Sequence, residues 1–161
     1  MMKNLLLLSV IVSMTFSNTI EVEETIISND VNTTAVIEEY KMGQVLKIYY
    51  DYDEALALAK EEKKNLFILF QRSNCPWCIK LQNTTLQDEV LTKQLNEEYI
   101  VLILDRDKTI TYPKTYNVMA VPSVYLVDSN EKVHVIEQGY NEDPKNYIEL
   151  LDICTQRTKA E

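Results

Sequence analysis

The chain has 161 residues, of which 46% are hydrophobic and 25% charged, and these values are typical of one globular domain with modest extensions. Its formal net charge of −9 disfavours nucleic acid as a partner, because phosphate backbones are held by clustered lysine and arginine side chains. Only two glycines are present, which argues against a turn-rich all-β sandwich and against a glycine-rich phosphate-binding loop.

The first 17 residues have the pattern of a signal peptide. Lys3 supplies a positive charge, residues 5–12 are almost entirely apolar, and small residues precede a plausible cut after Ser17. The apolar stretch is shorter than the roughly twenty residues that a transmembrane helix needs. We therefore expect a periplasmic or otherwise exported protein without stable membrane insertion after cleavage. An uncleaved membrane anchor is the alternative.

Residues 18–44 differ from the rest of the chain in composition. They are rich in Glu, Thr, Asn and Ser and show no sustained hydrophobic period, which predicts a loosely ordered polar extension. As an alternative, its isolated apolar residues, among them Val36 and Ile37, form a short strand or helix. The regular domain is then expected over residues 45–161.

The first elements of this domain are an edge strand, a helix and a buried strand. Residues 45–49 predict the edge strand, and Asp51 with Glu54 fits a capping box at the start of a helix that runs to residue 64. Residues 66–70 are continuously apolar, which favours a central parallel strand covered on both faces.

Further elements follow a pair of cysteines. They are a long helix over 81–98, a strand over 99–104, a hairpin of strands over 123–127 and 132–137, and a closing helix from Asp143 to about residue 154. The apolar stripe of the long helix is predicted to be Leu86, Val90, Leu91 and Leu95. This order predicts an α/β fold in which a central mixed β-sheet has helices on both faces.

The cysteine pair stands in the segment Cys75-Pro76-Trp77-Cys78, between a predicted buried strand and a helix. Free N–H groups at a helix start favour a thiolate and so lower the pKa of Cys75. One helical turn brings Cys78 close enough to form a disulfide. We therefore expect Cys75 to be the exposed nucleophile and Cys78 the more buried thiol that resolves the mixed disulfide.

Two other interpretations of the pair remain open. A zinc site needs two further ligands, and the sole histidine, His134, lies far along the chain on a predicted, exposed strand. An inert structural disulfide is the other alternative. We expect no metal and no cofactor, and we expect Cys154 to be buried as a small hydrophobic residue.

Three segments carry a resemblance to a known family: residues 64–70 (KNLFILF), 74–81 (NCPWCIKL) and 116–123 (YNVMAVPS), and Gly139-Tyr140 also fits. The sequence resembles the thioredoxin superfamily over about residues 45–155. It is most similar to exported bacterial thioredoxin-like proteins related to the catalytic domains of disulfide isomerases.

The resemblance implies a thioredoxin-like fold and a thiol–disulfide oxidoreductase that acts on protein cysteines. Its redox-active disulfide would join Cys75 and Cys78, and a redox partner protein would recycle it. Pro122 matches the cis-proline of the family, which leaves the backbone of Val121 free to pair with a substrate. Trp77 offers an apolar platform for substrate or simply packs on the helix start. The short extension is small for a dimerisation domain, so we expect a monomer.

The sequence also departs from thioredoxins proper. Leu69 stands where those proteins have a buried Asp, Asn74 precedes the first cysteine, and the intervening dipeptide is Pro-Trp. These departures leave the direction of electron flow open. Two non-enzymatic alternatives also remain: a binding module with the same fold, or a metal or haem-assembly chaperone. The charges of Arg72 and Lys80 are interpreted as solvated surface groups, with a contribution to thiolate stabilisation as the alternative.

Overall fold

The computed structural model describes residues 36–37, as backbone only, together with residues 46–109 and 111–160. The predicted signal peptide (1–17) and most of the predicted extension (18–44) lie outside these residues. The strands are β1 Val36–Ile37, β2 Lys47–Tyr49, β3 Asn65–Gln71, β4 Tyr99–Asp105, β5 Ser123–Val127 and β6 Val133–Gln138. The helices are α1 Tyr52–Glu62, α2 Pro76–Asn83, α3 Glu89–Glu98 and α4 Pro144–Lys159, with single 3₁₀ turns at Thr85–Gln87 and Lys114–Tyr116.

The strands form one mixed sheet in the order β1-β2-β4-β3-β5-β6. Strands β2, β4 and β3 are parallel, whereas β5 is antiparallel to β3 and β6 is antiparallel to β5. Strand β1 pairs antiparallel with β2, so the strand predicted at the sheet edge has a neighbour on each side. Residues 36–37 therefore adopt the strand that the sequence left open as an alternative.

Helices cover both faces of the sheet, as the element order predicts. Phe67 and Leu69 of β3 pack in a core with residues of α2, α3 and α4, while Leu66, Ile68 and Phe70 pack in a second core with α1. All five of these β3 side chains are fully buried, which explains the continuous apolar run in the sequence. The covered strand ends at the cysteine pair and fixes its position.

The predicted long helix over 81–98 is wrong, because the chain breaks between α2 and α3. The carboxylate of Asp88 accepts hydrogen bonds from the N–H groups of Val90 at 3.1 Å and Leu91 at 3.0 Å, which starts a new helix. The change of axis turns Val90 outward, so this side chain is 64% exposed and does not belong to the apolar stripe.

The other two predicted helix starts are confirmed. Asp51 accepts a hydrogen bond from the N–H of Glu54 at 2.9 Å, and Asp143 accepts one from Lys145 at 3.0 Å with Pro144 in the first helical position. Helix α4 continues to Lys159, about one turn beyond the predicted end.

His134 is buried, and its predicted exposure on the hairpin strand is wrong. Its Nε2 lies 2.9 Å from Oδ2 of Asp128, and this polar partner allows the imidazole to leave water. Oδ1 of Asp128 also accepts the N–H groups of Asn130 at 2.8 Å and Lys132 at 3.0 Å. Burial alone would raise the pKa of Asp128, but these hydrogen bonds outweigh it and the pKa is lowered.

Candidate thiol–disulfide site

The start of α2 places Cys75 at the carboxyl end of β3. Asn74 has a φ of 62°, a left-handed conformation in which asparagine is enriched, and it redirects the chain out of the sheet. Cys75 is the N-cap of α2, and Pro76 occupies the first helical position, where a missing N–H costs nothing. The Sγ atom of Cys75 accepts a hydrogen bond from the N–H of Cys78 at 3.2 Å.

Cys75 and Cys78 form a disulfide with an S–S distance of 2.05 Å and a Cα–Cα distance of 5.3 Å. Cys78 is fully buried and Cys75 is 6% exposed, so the two members are unequal in the order that the sequence predicts. Cys75 is nevertheless a buried residue, not an exposed one, since its sulfur is occupied by the Cys78 sulfur and by the N–H that it caps.

A shallow groove of about 270 Å³ runs beside the first turn of α2. Its lining brings together the three side chains predicted to bind substrate and adds two more: Trp77, Val121, Pro122, Gly139 and Tyr140. The Val121–Pro122 peptide bond is cis, as the resemblance implies. The carbonyl of Pro122 accepts a hydrogen bond from the N–H of Gly139 at 2.8 Å, which ties the two sides of the groove together.

The wall of this groove is an aromatic pair. Trp77 is 56% exposed and stacks on Tyr140, with ring centroids 5.4 Å apart and an interplanar angle of 30°. The Nζ atom of Lys80 lies 5.3 Å from the centroid of the Trp77 ring and 4.7 Å from that of Tyr140. Trp77 therefore packs against a neighbour while more than half of its surface stays exposed.

Tyr140 and Lys80 lie together against Trp77, an arrangement that the sequence did not predict for either residue. For Lys80 a signal was present, because it follows Trp77 by three residues and side chains at that spacing share a helix face. For Tyr140 the signal was the fit of Gly139-Tyr140 to the family resemblance, and the φ of +92° at Gly139 marks the turn before α4. Nothing local predicts which helix that turn approaches.

A polar cluster secures the loop that leads to Cys75. The Ser73 hydroxyl donates to Oδ2 of Asp105 at 3.0 Å and accepts from Nζ of Lys108 at 2.7 Å. The Nζ atom of Lys108 is also 3.4 Å from Oδ2 of Asp105. Desolvation raises the pKa of Asp105, but hydrogen bonds from the Asp107 backbone, Ser73 and Lys108 reverse this, and the net shift is downward. The end of β4 thereby anchors the loop before the first cysteine.

One apolar side chain and two side-chain amides lie along α2 near Cys78. Leu69 is fully buried and packs in the same core as Leu81 of α2, so it places no carboxylate there. The amide of Gln82 donates to Oε1 of Gln71 at 2.7 Å and to the Cys78 carbonyl at 3.2 Å. The chain thus has side-chain amides beside the second cysteine.

The third cysteine lies at the other end of the sheet. Cys154 is fully buried as expected, and its Sγ is 3.8 Å from the side-chain nitrogen of Asn65, the first residue of β3. Burial raises the pKa of the Cys154 thiol, which disfavours the reactive thiolate.

Metal sites and membrane-spanning helices are two other features for which the described part of the chain can be compared with known requirements. Over residues 46–109 and 111–160, no group of three or more His, Cys, Asp or Glu side chains is arranged to hold a metal ion. None of the described helices combines the length and apolarity that crossing a membrane requires.

Comparison with known proteins assigns the family. The family model of the thioredoxin-like domain, which describes its sequence pattern, matches residues 52–153, more than half of the chain. The chain belongs to the thioredoxin-like domain family. Together with the Cys75–Cys78 pair at disulfide distance, membership of this family supports a thiol–disulfide redox role in general terms.

Individual thioredoxin-like relatives are distant. A segment of Spermatogenesis-associated protein 20 from Mus musculus is 33% identical over 63 residues, which is 39% of this chain and 8% of that protein's length. Among solved structures, DsbH oxidoreductase has a TM-score of 0.56 at 20% identity and is matched over 68% of this chain and 85% of that one. A Thermus thermophilus thioredoxin has a TM-score of 0.55 at 23% identity, over 65% of this chain and 85% of its own. These structures confirm the thioredoxin-like fold.

Proposed function

We propose that this protein is a thiol–disulfide oxidoreductase that acts on the cysteines of other proteins through Cys75 and Cys78. The observation that carries the proposal is the hydrogen bond from the Cys78 N–H to the Cys75 sulfur at the start of α2. When the disulfide is reduced, the same N–H and the positive end of the helix stabilise a Cys75 thiolate. Among the hydrogen bonds of the described residues, none is donated to the Cys78 sulfur, and Cys78 is fully buried.

The exchange proceeds through a mixed disulfide. A substrate thiolate attacks the Cys75 sulfur, the Cys75–Cys78 bond breaks, and Cys78 leaves with the bonding electron pair and takes up a proton. A second substrate thiolate then attacks the substrate sulfur of the mixed disulfide and releases Cys75 as a thiolate. The substrate dithiol becomes a disulfide, and the enzyme gains two electrons. The reverse sequence reduces a substrate disulfide, with Cys75 attacking and Cys78 resolving.

The groove beside α2 is the proposed substrate site. The Val121 backbone, next to the cis bond, pairs with an extended substrate segment, while Pro122 and Trp77 contact its side chains. Support comes from the convergence of these three residues in one groove of about 270 Å³ next to the first turn of α2.

The proposed setting is an exported compartment, periplasmic in a bacterial cell, where disulfides persist. Its support is the signal-like pattern of residues 1–17. In that setting the protein acts as a monomer on substrate thiols or disulfides, and a separate redox partner recycles the Cys75–Cys78 pair. The partner decides whether the protein oxidises or reduces.

Single cysteine variants test the proposal. With dithiothreitol as the electron source, we expect the wild-type protein to accelerate insulin-disulfide reduction and Cys75→Ser to abolish this activity. Cys78→Ser should accumulate mixed disulfides with a cysteine-containing peptide, visible as a mass increase that a reductant reverses. Cys154→Ala is the matched control and should retain the activity. Full activity of Cys75→Ser would overturn the proposal, and failure of both pair sulfurs to alkylate after mild reduction would favour a structural disulfide.

A further inference from the structure

The ammonium group of Lys80 lies at the rim of the groove. Its Nζ is 4.7 Å from the centroid of the Tyr140 ring and 5.3 Å from that of the Trp77 ring, and both rings line the groove. Attraction between an ammonium group and aromatic rings favours this position of the exposed Lys80 side chain. The stacked rings in turn fix the position of the charge.

The charge of Lys80 is not neutralised within the described structure. The ion pairs found over residues 46–109 and 111–160 join other side chains, and none includes Lys80. This placement contrasts with the chain as a whole, which has 25 acidic residues against 16 lysines and arginines. An unpaired cation beside an otherwise apolar groove attracts an anionic group of a bound segment.

We propose that Lys80 selects protein substrates that carry an acidic residue close to the reacting cysteine, an inference that rests on the proposed function. Trp77 lies between the two cysteines in sequence, and its ring is within about 5 Å of the Lys80 nitrogen. Lys80 follows Cys75, the N-cap of α2, by five positions, which is about 7.5 Å along a helix axis. An extended chain advances about 3.3 Å per residue, so a carboxylate about two residues from the reacting cysteine comes level with the ammonium group. The apolar walls then contact the neighbouring side chains of the same segment.

A purely structural role of Lys80 predicts a different pattern. If the lysine only stabilised the Trp77–Tyr140 stack, its removal would slow the reaction of every peptide by the same factor. A charge that selects substrates changes the rates of charged peptides alone, in opposite directions for Glu and Lys, and leaves the Gln peptide unchanged. Exposed ion pairs are weak, so the expected preference is about twofold to fivefold in kcat/KM.

The test uses the full chain and three dithiol peptides that differ only in having Glu, Gln or Lys two residues after the reacting cysteine. The measured quantity is kcat/KM for oxidation of each peptide by the disulfide form of the protein. We expect the wild type to favour Glu over Lys, Lys80→Gln to lose this preference, and Lys80→Glu to reverse it. The preference should weaken as salt is raised, since salt screens exposed charges.

The matched control is Lys60→Gln, which makes the same charge change on α1, on the opposite face of the sheet, and should leave the preference intact. Equal rates for the three peptides with the wild type, or an equal loss for all three with Lys80→Gln, would overturn the proposal. Dithiothreitol, a small uncharged dithiol, distinguishes failure of the role of Lys80 from failure of the proposed function. If the protein oxidises it and the peptides without preference, only the role of Lys80 fails. Inactivity toward all of them overturns the proposed function and this inference together.

Discussion

Tyr140, in the turn before α4, stacks on Trp77 of α2 with ring centroids 5.4 Å apart. The contact joins two segments that are separated by more than sixty positions in the sequence. It turns the exposed indole beside the disulfide into one wall of a defined groove. Several consequences of this arrangement and of the surrounding fold are open to measurement.

Removal of the aromatic wall should weaken substrate binding without changing the chemistry of the sulfurs. We expect Trp77→Ala and Tyr140→Ala each to raise KM for a peptide substrate about twofold to tenfold, because an aromatic pair contributes about 0.5 to 1.5 kcal/mol beyond its buried area. The rate with dithiothreitol should change little. Tyr140→Phe keeps the ring and is the control. An unchanged KM in both alanine variants would show that the groove does not bind substrate.

The Asp128–His134 contact should make stability depend on pH in the acid range. The pKa of Asp128 is lowered in the folded protein, so the unfolded chain binds the proton more readily. The ionised Asp128 carboxylate therefore stabilises the folded protein fully above the unfolded pKa of about 4. This stabilisation is lost as pH falls through the lower pKa of the folded protein.

The variant Asp128→Asn should reduce the free energy of unfolding at pH 7 by about 1 to 2 kcal/mol and flatten its decline below pH 4. Thermal or urea unfolding between pH 2 and pH 7 measures both effects. Glu142→Gln removes an exposed carboxylate near α4 and should leave the acid dependence close to that of the wild type. An acid profile of Asp128→Asn equal to the wild-type profile would contradict the assignment.

The break between α2 and α3 depends on the Asp88 cap. We expect Asp88→Ala to lower the free energy of unfolding by about 0.5 to 2 kcal/mol, because two N–H groups lose their acceptor. Asp88→Asn retains an acceptor oxygen and should lose less. Chemical denaturation at neutral pH distinguishes the two variants. If Asp88→Ala has the same free energy of unfolding as the wild type, the start of α3 is held by packing alone.

The family resemblance implies that Leu69 stands at the position of the buried Asp of thioredoxins proper, and introducing an Asp there should be costly. Leu69 is fully buried in the core that contains Leu81, so Leu69→Asp places a carboxyl group among apolar side chains. We expect a loss of about 3 to 5 kcal/mol in the free energy of unfolding. Leu69→Met, a change of similar volume, should cost less than about 1.5 kcal/mol. A mild effect of Leu69→Asp would indicate a hydrated pocket behind Cys78.

Features encoded by local patterns were predictable from the sequence. The continuous apolar run of β3, the caps at Asp51 and Asp143 and the cysteine pair at the start of α2 all depend on neighbouring residues. The sheet with helices on both faces followed from the order of these elements. Each of these predictions needed no knowledge of distant contacts.

The features that were missed depend on tertiary contacts or on a choice between competing local signals. The helix-forming residues over 81–98 concealed the cap at Asp88, which competes with continuation of the same helix. His134 is buried because its ring pairs with the carboxylate of Asp128, a turn residue six positions earlier. The approach of Tyr140 to Trp77 and Lys80 depends on how α4 and its preceding turn pack, which no short pattern encodes.

The hydrogen bond from the Gly139 N–H to the Pro122 carbonyl has a consequence for recognition. It links the cis-proline to the residue directly before Tyr140. The Val121–Pro122 side of the groove and its aromatic wall are therefore held at a fixed spacing. A preorganised cleft of this kind loses little conformational entropy when a polypeptide segment enters it. The ordering cost then falls on the incoming chain, which favours segments that are already extended and accessible, as in proteins that have not finished folding.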